Sequence, residues 1–427
     1  MRLTLFSMGT AITALASALF AQAALAQDIP VGHLADQSGA TSDVGVPYAR
    51  GVADALAYVN TKGGVASKKL AVETVDYGYQ VPRAVAQYKK WSEGSSKVAA
   101  IQGWGTADTE AMIAFVTKDQ IPYLSASYSA ALTDPSGKSG KAKPAPYNFF
   151  YGPSYSDAVR ALLTWAAEDW KAKGGSGKPK FVHMGANHPY PNSPKEAGEA
   201  MAIALGFNVI PPVQFAMTPG DYTSQCLTIK NAGANYAYLA NTAGSNISVL
   251  KACKTAGVAV QFLGNVWGMD ENAAKAAGDA ANGMVFPVRT GIVWNGAAPG
   301  MTTLSEISKM SGGDAYRPVH YLAGVCSAMY MVEAMGWASA NGGVTGPNVQ
   351  KGMYQKKDWV PAGMEGVCLP STWTSDDHRG LMSVNIYRMS VTGATDGEVA
   401  DLVKKGTIKI DKVKTVELER KPDTLGW

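Results

Sequence analysis

The chain has 427 residues, 46% of them hydrophobic and 17% charged, and a formal net charge of +4. That length exceeds one core at the usual ~100 to 200 residues per domain, so two lobes are expected. The charge is too slight for a nucleic-acid-binding face, and the lysines are scattered in pairs such as Lys68 with Lys69 and Lys356 with Lys357.

Arg2 precedes an apolar stretch over residues 11–25 that ends in Ala24, Leu25 and Ala26, a secretory signal with an A-x-A cleavage site. Thr13, Ser17 and Gln22 interrupt the stretch, which falls short of the roughly 20 apolar residues of a membrane span. The mature chain is expected to begin at Gln27, and with no cysteine after the cleavage site it carries no lipid tether. Short apolar runs follow at residues 29–35, 70–77, 98–102, 121–125, 180–185, 236–240 and 260–264, and these are expected strands. Helical patterns lie between them. Tyr48, Val52, Ala55 and Val59, for example, put one apolar stripe toward a sheet. Such alternation means parallel sheets joined by right-handed crossovers, an α/β fold. Gly, Pro and Ser clusters at 134–146 and 295–300 fall where the chain could pass between lobes, and 171–179 reads as a surface turn. From Tyr316 to Ala340 a long helix is apolar on most faces through Leu322, Val325, Met329 and Val332, so it should be buried.

The stretch VGHLADQSGATSDVGVPYARGVADALAYVNTKGGV, residues 31–65, resembles the opening of the branched-chain amino-acid-binding (leucine-binding-protein-like) family of ABC-importer receptors. Ala55 or Ala57 with Asn60, Gly63 and Gly64 matches that family's A-x-x-x-N-x-x-GG helix end. The likeness continues through LAVETVDYGYQVPRAV, VAAIQGWGTADTEAM and IPYLSASYSAALTD, and more loosely through DYTSQCLTIKNAGANYAYLA and VLKACKTAGV. It implies a type I periplasmic-binding-protein fold, with two lobes that are each a parallel sheet flanked by helices, joined by a three-segment hinge. It also implies a small-molecule ligand in the cleft, a membrane permease as partner, a periplasmic location and no catalysis.

In open parallel sheets ligands bind beyond the carboxyl ends of the strands, where helix N-termini present free N–H groups. Trp104, Gly105, Thr106 and Ala107 follow such a strand, and Gly105, Thr106 and Ala107 are candidates for a carboxylate or carbonyl; the alternative is a plain strand-to-helix turn. Ser127, Tyr128 and Ser129 match the family's next ligand loop, and Tyr190 matches an aromatic that closes from the second lobe. Asn241, Thr242 and Trp267, with Val266, fall at the remaining loops. The family's acidic residue for an α-amino group is missing from residues 264–268, and Asp270 comes only later. A buried ammonium without a carboxylate costs several kcal/mol. An aromatic cleft of Trp104, Tyr128, Tyr190 and Trp267 suits a planar or apolar ligand with one polar or anionic end. The alternative is that the tryptophans pack between the lobes or in the core.

The five histidines have no metal spacing, no cysteine pair is CxxC, and neither a GxSxG elbow nor a phosphate loop occurs, so no cofactor or metal is expected. Asp377, His378 and Arg379 are read as a surface turn. The expected lobes are residues 27–146 with 287–368 and 147–286 with 369–427, crossing near 143–147, 286–290 and 366–374, in a monomer. Four cysteines in an oxidising compartment allow three pairings. Cys226 and Cys253 lie on consecutive helices flanking the strand at 236–240, which a right-handed crossover sets side by side. Cys326 in the buried helix and Cys368 in the third crossing form the other expected pair; the alternative is four free, buried thiols. A sensor that docks on a signalling receptor is the alternative to transport, with an α/β enzyme a more distant one.

Overall fold

The computed structural model describes residues 28–94, 97–312, 315–421 and 425–427. The expected signal segment, residues 1–26, and the start at Gln27 lie outside them.

The first sheet is laid down by β1 (Ile29–Ala35), α1 (Ser42–Thr61), β2 (Leu70–Asp76), α2 (Val81–Ser92), β3 (Ala100–Gln102), α3 (Thr106–Asp119), β4 (Tyr123–Ser125) and β5 (Asn148–Phe150). Its five strands run parallel in the order β2-β1-β3-β4-β5. The stripe Tyr48, Val52, Ala55 and Val59 is buried on α1 as its spacing requires.

The second sheet begins after α4 (Tyr155–Ala172). It takes β6 (Lys180–Gly185), α5 (Pro189–Asn192), α6 (Lys195–Ala204), β7 (Asn208–Gln214), α7 (Thr223–Ala232), β8 (Tyr236–Leu239), α8 (Ala243–Thr255), β9 (Gln261–Gly264), α9 (Glu271–Ala277) and β10 (Val285–Val288). The chain then returns to the first lobe through α10 (Met301–Ser308), α11 (Val319–Ala340) and α12 (Gly346–Met353). It rejoins the second sheet as β11 (Ser383–Val391), α13 (Val399–Lys404) and β12 (Ile408–Glu417), giving the order β12-β11-β10-β9-β8-β6-β7. The expected parallel sheet is present from β7 to β10. β11 and β12 extend it antiparallel.

α11 starts at Val319, three residues later than expected, because Pro318 disfavours helix at the residue before it. It crosses α1 with backbones in contact: a Cβ on Gly51 would lie 2.2 Å from the Tyr321 carbonyl oxygen, and one on Gly324 2.2 Å from that of Tyr48. That crossing fastens the returning helix to the first sheet.

The crossings differ in detail from the expected ones. Residues 134–146 do not leave the first lobe; the Asp134 carboxylate accepts the N–H groups of Gly137, Lys138 and Ser139, and the chain goes on to pair β5 with β4. The strand Asn148–Phe150 thus stands in the first sheet, although the expected boundary at 146/147 would give it to the second lobe. The first passage follows it. The second leaves β10 at Arg289, near the expected place. The third comes after Arg379, because Trp373 donates to Phe150 O and His378 N–H to Thr133 O on the first lobe. The Tyr151 hydroxyl, in the first passage, ties it to the second and to the returning first-lobe segment, donating to Arg289 O at 2.7 Å and accepting from Leu369 N–H at 2.8 Å.

Asp377, His378 and Arg379 are buried, not a surface turn. Asp377 pairs with Arg379 at 2.8 Å, and His378 stacks on Phe149 at 4.4 Å between centroids. Its Nδ1–H donates to Asn148 O, and its Nε2 accepts from the Tyr354 hydroxyl at 2.7 Å. Disulfides join Cys226 to Cys253 and Cys326 to Cys368, with Cα atoms 4.9 and 5.5 Å apart.

Candidate functional site

The cleft is built from loops at the carboxyl ends of both sheets. After β1, the buried Asp36 carboxylate accepts from Gly39 N–H, Thr41 N–H and the Thr41 hydroxyl, shaping the turn into α1. The Thr41 hydroxyl in turn accepts from Trp104 Nε1–H at 2.9 Å, which fixes the indole that follows β3. Tyr79, in the loop after β2, has a φ of 56°, a left-handed conformation that a non-glycine residue adopts only under local constraint. Its ring lies over Gly105, where a Cβ would stand 1.8 Å from it. Glycine there is demanded by that contact.

From the second lobe, His188 Nδ1 accepts Tyr190 N–H and caps α5, bringing the Tyr190 ring within 5.4 Å of Tyr155 at the start of α4. Thr242 stands at the N-cap position of α8 without a side-chain cap, and Trp267 follows β9. Two carboxylates reach across the cleft. Asp43 of α1 accepts Gly244 N–H in the first turn of α8, and Glu271 of α9 accepts Val319 N–H at 3.1 Å and the Tyr316 hydroxyl at 2.8 Å. Each lobe thereby caps a helix of the other, where a carboxylate meets the positive end of the helix dipole.

Of the residues expected at the site, Trp104, Gly105, Thr106, Tyr190, Thr242 and Trp267 line one cavity between the lobes, together with Thr41, Tyr79, Ala126 and Tyr155. It encloses about 20 Å³, room for a single water-sized body. Ala107, Ser127, Tyr128, Ser129 and Asn241 do not line it. Ala107 continues into α3, and the Ser127 hydroxyl lies 2.8 Å from that of Thr106, holding it from behind. Ser129 caps the short turn 130–132 and faces a neighbouring cavity of about 260 Å³. Asn241 is spent on backbone, donating to Phe215 O and Ala216 O and accepting from Ala186 N–H. Tyr128 stacks on Trp267 from outside the cavity. The Gly105 N–H, expected to face a ligand, donates instead to the Tyr77 hydroxyl at 3.2 Å.

Tyr79, Tyr155 and Arg289 escaped the sequence reading. Tyr79 and Tyr155 follow strand ends, the one signal that could have found them; Arg289 lies within the expected crossing at 286–290 and has no local signature.

None of the lining side chains is charged. Burial pushes Tyr155 up to about 12, so it stays a neutral hydroxyl. Burial also raises Asp108, beneath the cavity and bonded to Tyr77, to about 7, and Asp270 to about 8. Asp270 accepts Ala273 N–H as the cap of α9 and does not reach the cavity. Among the described residues no three His, Cys, Asp or Glu side chains form a group that could hold a metal ion, and no helix is long and apolar enough to cross a membrane.

Two lobes, each a sheet with its strand ends turned to a shared cleft, define a solute-binding protein of the type I architecture. Residues 28–397 match the periplasmic binding protein family, and the chain belongs to it. No curated protein matches the sequence. Among solved structures, an ABC transporter substrate-binding protein of Aeropyrum pernix aligns with a TM-score of 0.77 at 23% identity, over 93% of this chain and 98% of that one. A branched-chain amino acid ABC transporter protein of Thermus thermophilus with bound valine gives 0.77 at 21% identity, over 93% and 97%. A solute-binding protein of Rhodopseudomonas palustris BisB5 in complex with 3,4-dihydroxy benzoic acid gives 0.71 at 16% identity, over 92% and 99%. The family likeness carried by residues 31–65 thus holds, and with it the substrate-binding fold.

Proposed function

We propose that the protein is the periplasmic receptor of an ABC importer, exported by residues 1–26, which closes two lobes over a small molecule and presents it to a membrane permease. The first lobe runs through β5 and takes back the segment from Arg289 to about Arg379; the second holds the rest of the mature chain. The observation that carries this reading is the interlobe cavity, lined from both lobes by Trp104, Tyr79, Tyr155, Tyr190 and Trp267 and by no charged group. Such a site suits an aromatic or other small carboxylate or an amide, and an α-amino acid poorly, because no lining carboxylate would offset a buried ammonium. Structural neighbours that hold valine and a dihydroxybenzoic acid mark the range of ligands this architecture accepts. The protein acts as a monomer, performs no chemistry and needs no cofactor.

At about 20 Å³ the cavity admits a solute only when the lobes part or the aromatic side chains move. Binding is then a cycle of opening, capture and closure. A thermal-shift screen of amino acids, aromatic acids, amides and urea, followed by small-angle scattering with each hit, tests this. A hit that raises the melting temperature and reduces the radius of gyration of the opened protein is expected. Hits without any change in lobe arrangement, or product formation from a hit, would overturn it. Uptake restored by a co-expressed permease separates transport from sensing.

A further inference from the structure

Trp267 belongs to the second lobe by its backbone and to the first by most of its ring contacts. Asn265 Oδ1 accepts its N–H at 3.0 Å, and its carbonyl accepts Ala243 N–H at 3.0 Å, so both anchors lie in loops of the second sheet. Its indole, 2% exposed, donates its Nε1–H to the second-lobe Tyr155 hydroxyl at 3.2 Å and otherwise stands inside a ring of first-lobe side chains. Trp104 lies at 4.9 Å between centroids, His320 of α11 at 5.1 Å, Tyr48 of α1 at 5.4 Å, and Tyr128 at 5.7 Å and nearly parallel. Arg289 lays its guanidinium on the indole face, 3.7 Å from the ring centroid. These side chains gather at the carboxyl ends of β3 and β4, where an open parallel sheet receives its ligand.

The guanidinium is the member that packing alone does not explain. Arg289 is 3% exposed, and among the described residues no carboxylate comes within ion-pair distance of it. Its Nη1 donates to Val266 O at 2.8 Å and its Nη2 to His320 Nδ1 at 2.9 Å. Its Nε is buried without an acceptor. Because His320 Nδ1 accepts, the imidazole proton resides on Nε2, which is buried without a partner, as is the Tyr128 hydroxyl. A buried cation with no counter-ion costs several kcal/mol. Of the other two buried arginines the fold pairs Arg379 with Asp377 and gives Arg317 the Ser308 carbonyl and the Ser311 hydroxyl. Around Arg289 it leaves one uncompensated charge and three unused donors against aromatic walls.

We propose that this cage is the ligand site, that its ligand is a planar aromatic monocarboxylate, and that the Trp267 indole is its displaceable occupant. This rests on the solute-binding reading above and narrows its ligand class. The aromatic ring takes the place of the indole between Trp104 and Tyr128, and the carboxylate meets Arg289, His320 Nε2–H and the Tyr128 hydroxyl. A cationic ligand is repelled by Arg289, and an aliphatic one forgoes the ring contacts that aromatic walls favour. The indole leaves as the second lobe swings open, since its backbone travels with that lobe.

Calorimetric titration with benzoate and with its neutral isostere benzamide tests this on the mature protein and on Trp267→Ala and Arg289→Met. An occupant that fills the site for most of the time lowers apparent affinity by that fraction, so Trp267→Ala is expected to bind benzoate at least about tenfold tighter than the parent. Arg289→Met is expected to lose about a hundredfold for benzoate while still binding benzamide, which also reports that it folds. If Arg289→Met does not fold, the parent's preference for benzoate over benzamide tests the charge: about a hundredfold supports Arg289, and parity overturns it. Weaker benzoate binding by Trp267→Ala would make the indole a wall of the site and refute displacement. No binding of benzoate or indole-3-carboxylate by the parent or by Trp267→Ala overturns the site; a solute of another class that then compacts the protein leaves the receptor reading standing.

Discussion

Replacing Asp377 by Asn is expected to destabilise the protein by about 3–5 kcal/mol, the usual effect of removing one partner of a buried ion pair. The Asp377 carboxylate takes Arg379 through both oxygens, with Nε at 3.0 Å from Oδ1 and Nη2 at 2.8 Å from Oδ2, and also accepts the Arg379 N–H at 2.8 Å. Arg379 is 1% exposed and donates onward to Leu425 O and Lys421 O, so the pair fastens the end of the chain beneath the third crossing. An asparagine keeps one acceptor oxygen and leaves the guanidinium without its counter-charge. With an unfolding entropy of about 2.1 cal/mol/K per residue over ~400 residues, the loss corresponds to a fall in melting temperature of about 4–6 K. Arg420, whose Nη1 lies 2.8 Å from the same carboxylate, has a side chain one-third exposed. Its replacement by Met should cost less than about 1 kcal/mol, as solvent-screened pairs do. Calorimetry of the mature parent and both variants decides the matter. A shift below about 1 K for Asp377→Asn, or equal shifts for the two variants, would refute the assignment of the buried charge to Arg379.

Peptide mapping without reductant should recover Cys226 with Cys253 and Cys326 with Cys368, and any cross-pairing would contradict the helix adjacency of α7 and α8. Serine at both members of a pair should cost roughly 3.5–4 kcal/mol by loop entropy, for separations of 27 and 42 residues. Asp270, which burial and the neighbouring Glu271 hold at about 8 against an ordinary 3.8, keeps its proton in the folded state across a window where the unfolded chain has released it. Its contribution to stability therefore declines as pH rises from about 4 to about 8. The melting temperature of Asp270→Asn should gain on that of the parent between pH 5 and 8 in calorimetric scans, and a constant difference would refute the sign. A methyl at Gly105 must displace the Tyr79 ring, an overpacking effect of about 1–3 kcal/mol. Gly105→Ala should fold yet bind the identified solute more weakly, and unchanged affinity would remove Tyr79 from the cleft.

The residue pattern determined the fold class and most of the scaffold. The apolar stripe of α1, the strand–helix alternation, the cleft loops after β3 and β9 and the pairing of Cys226 with Cys253 are all consequences of local periodicity and of the handedness of βα crossovers, which neighbouring residues specify. β7 stayed hidden because Pro211 and Pro212 interrupt its pattern. A strand tolerates them only at the edge of a sheet, and being at an edge is a property of topology. Asp377, His378 and Arg379 look like a solvated turn for the same kind of reason: their polarity is visible in the chain, while the carbonyls, stacked Phe149 and tail that bury them arrive from as far along the chain as Thr133. The cavity residues were legible as loop positions, but their division of labour was not. Asn241 and the Gly105 N–H are consumed by partners in the loops after other strands, and Trp267 crosses into the opposite lobe. Arg289 has no neighbour in the chain that hints at its role; only the meeting of a crossing segment with α11 and three aromatic loops leaves its charge buried and unpaired.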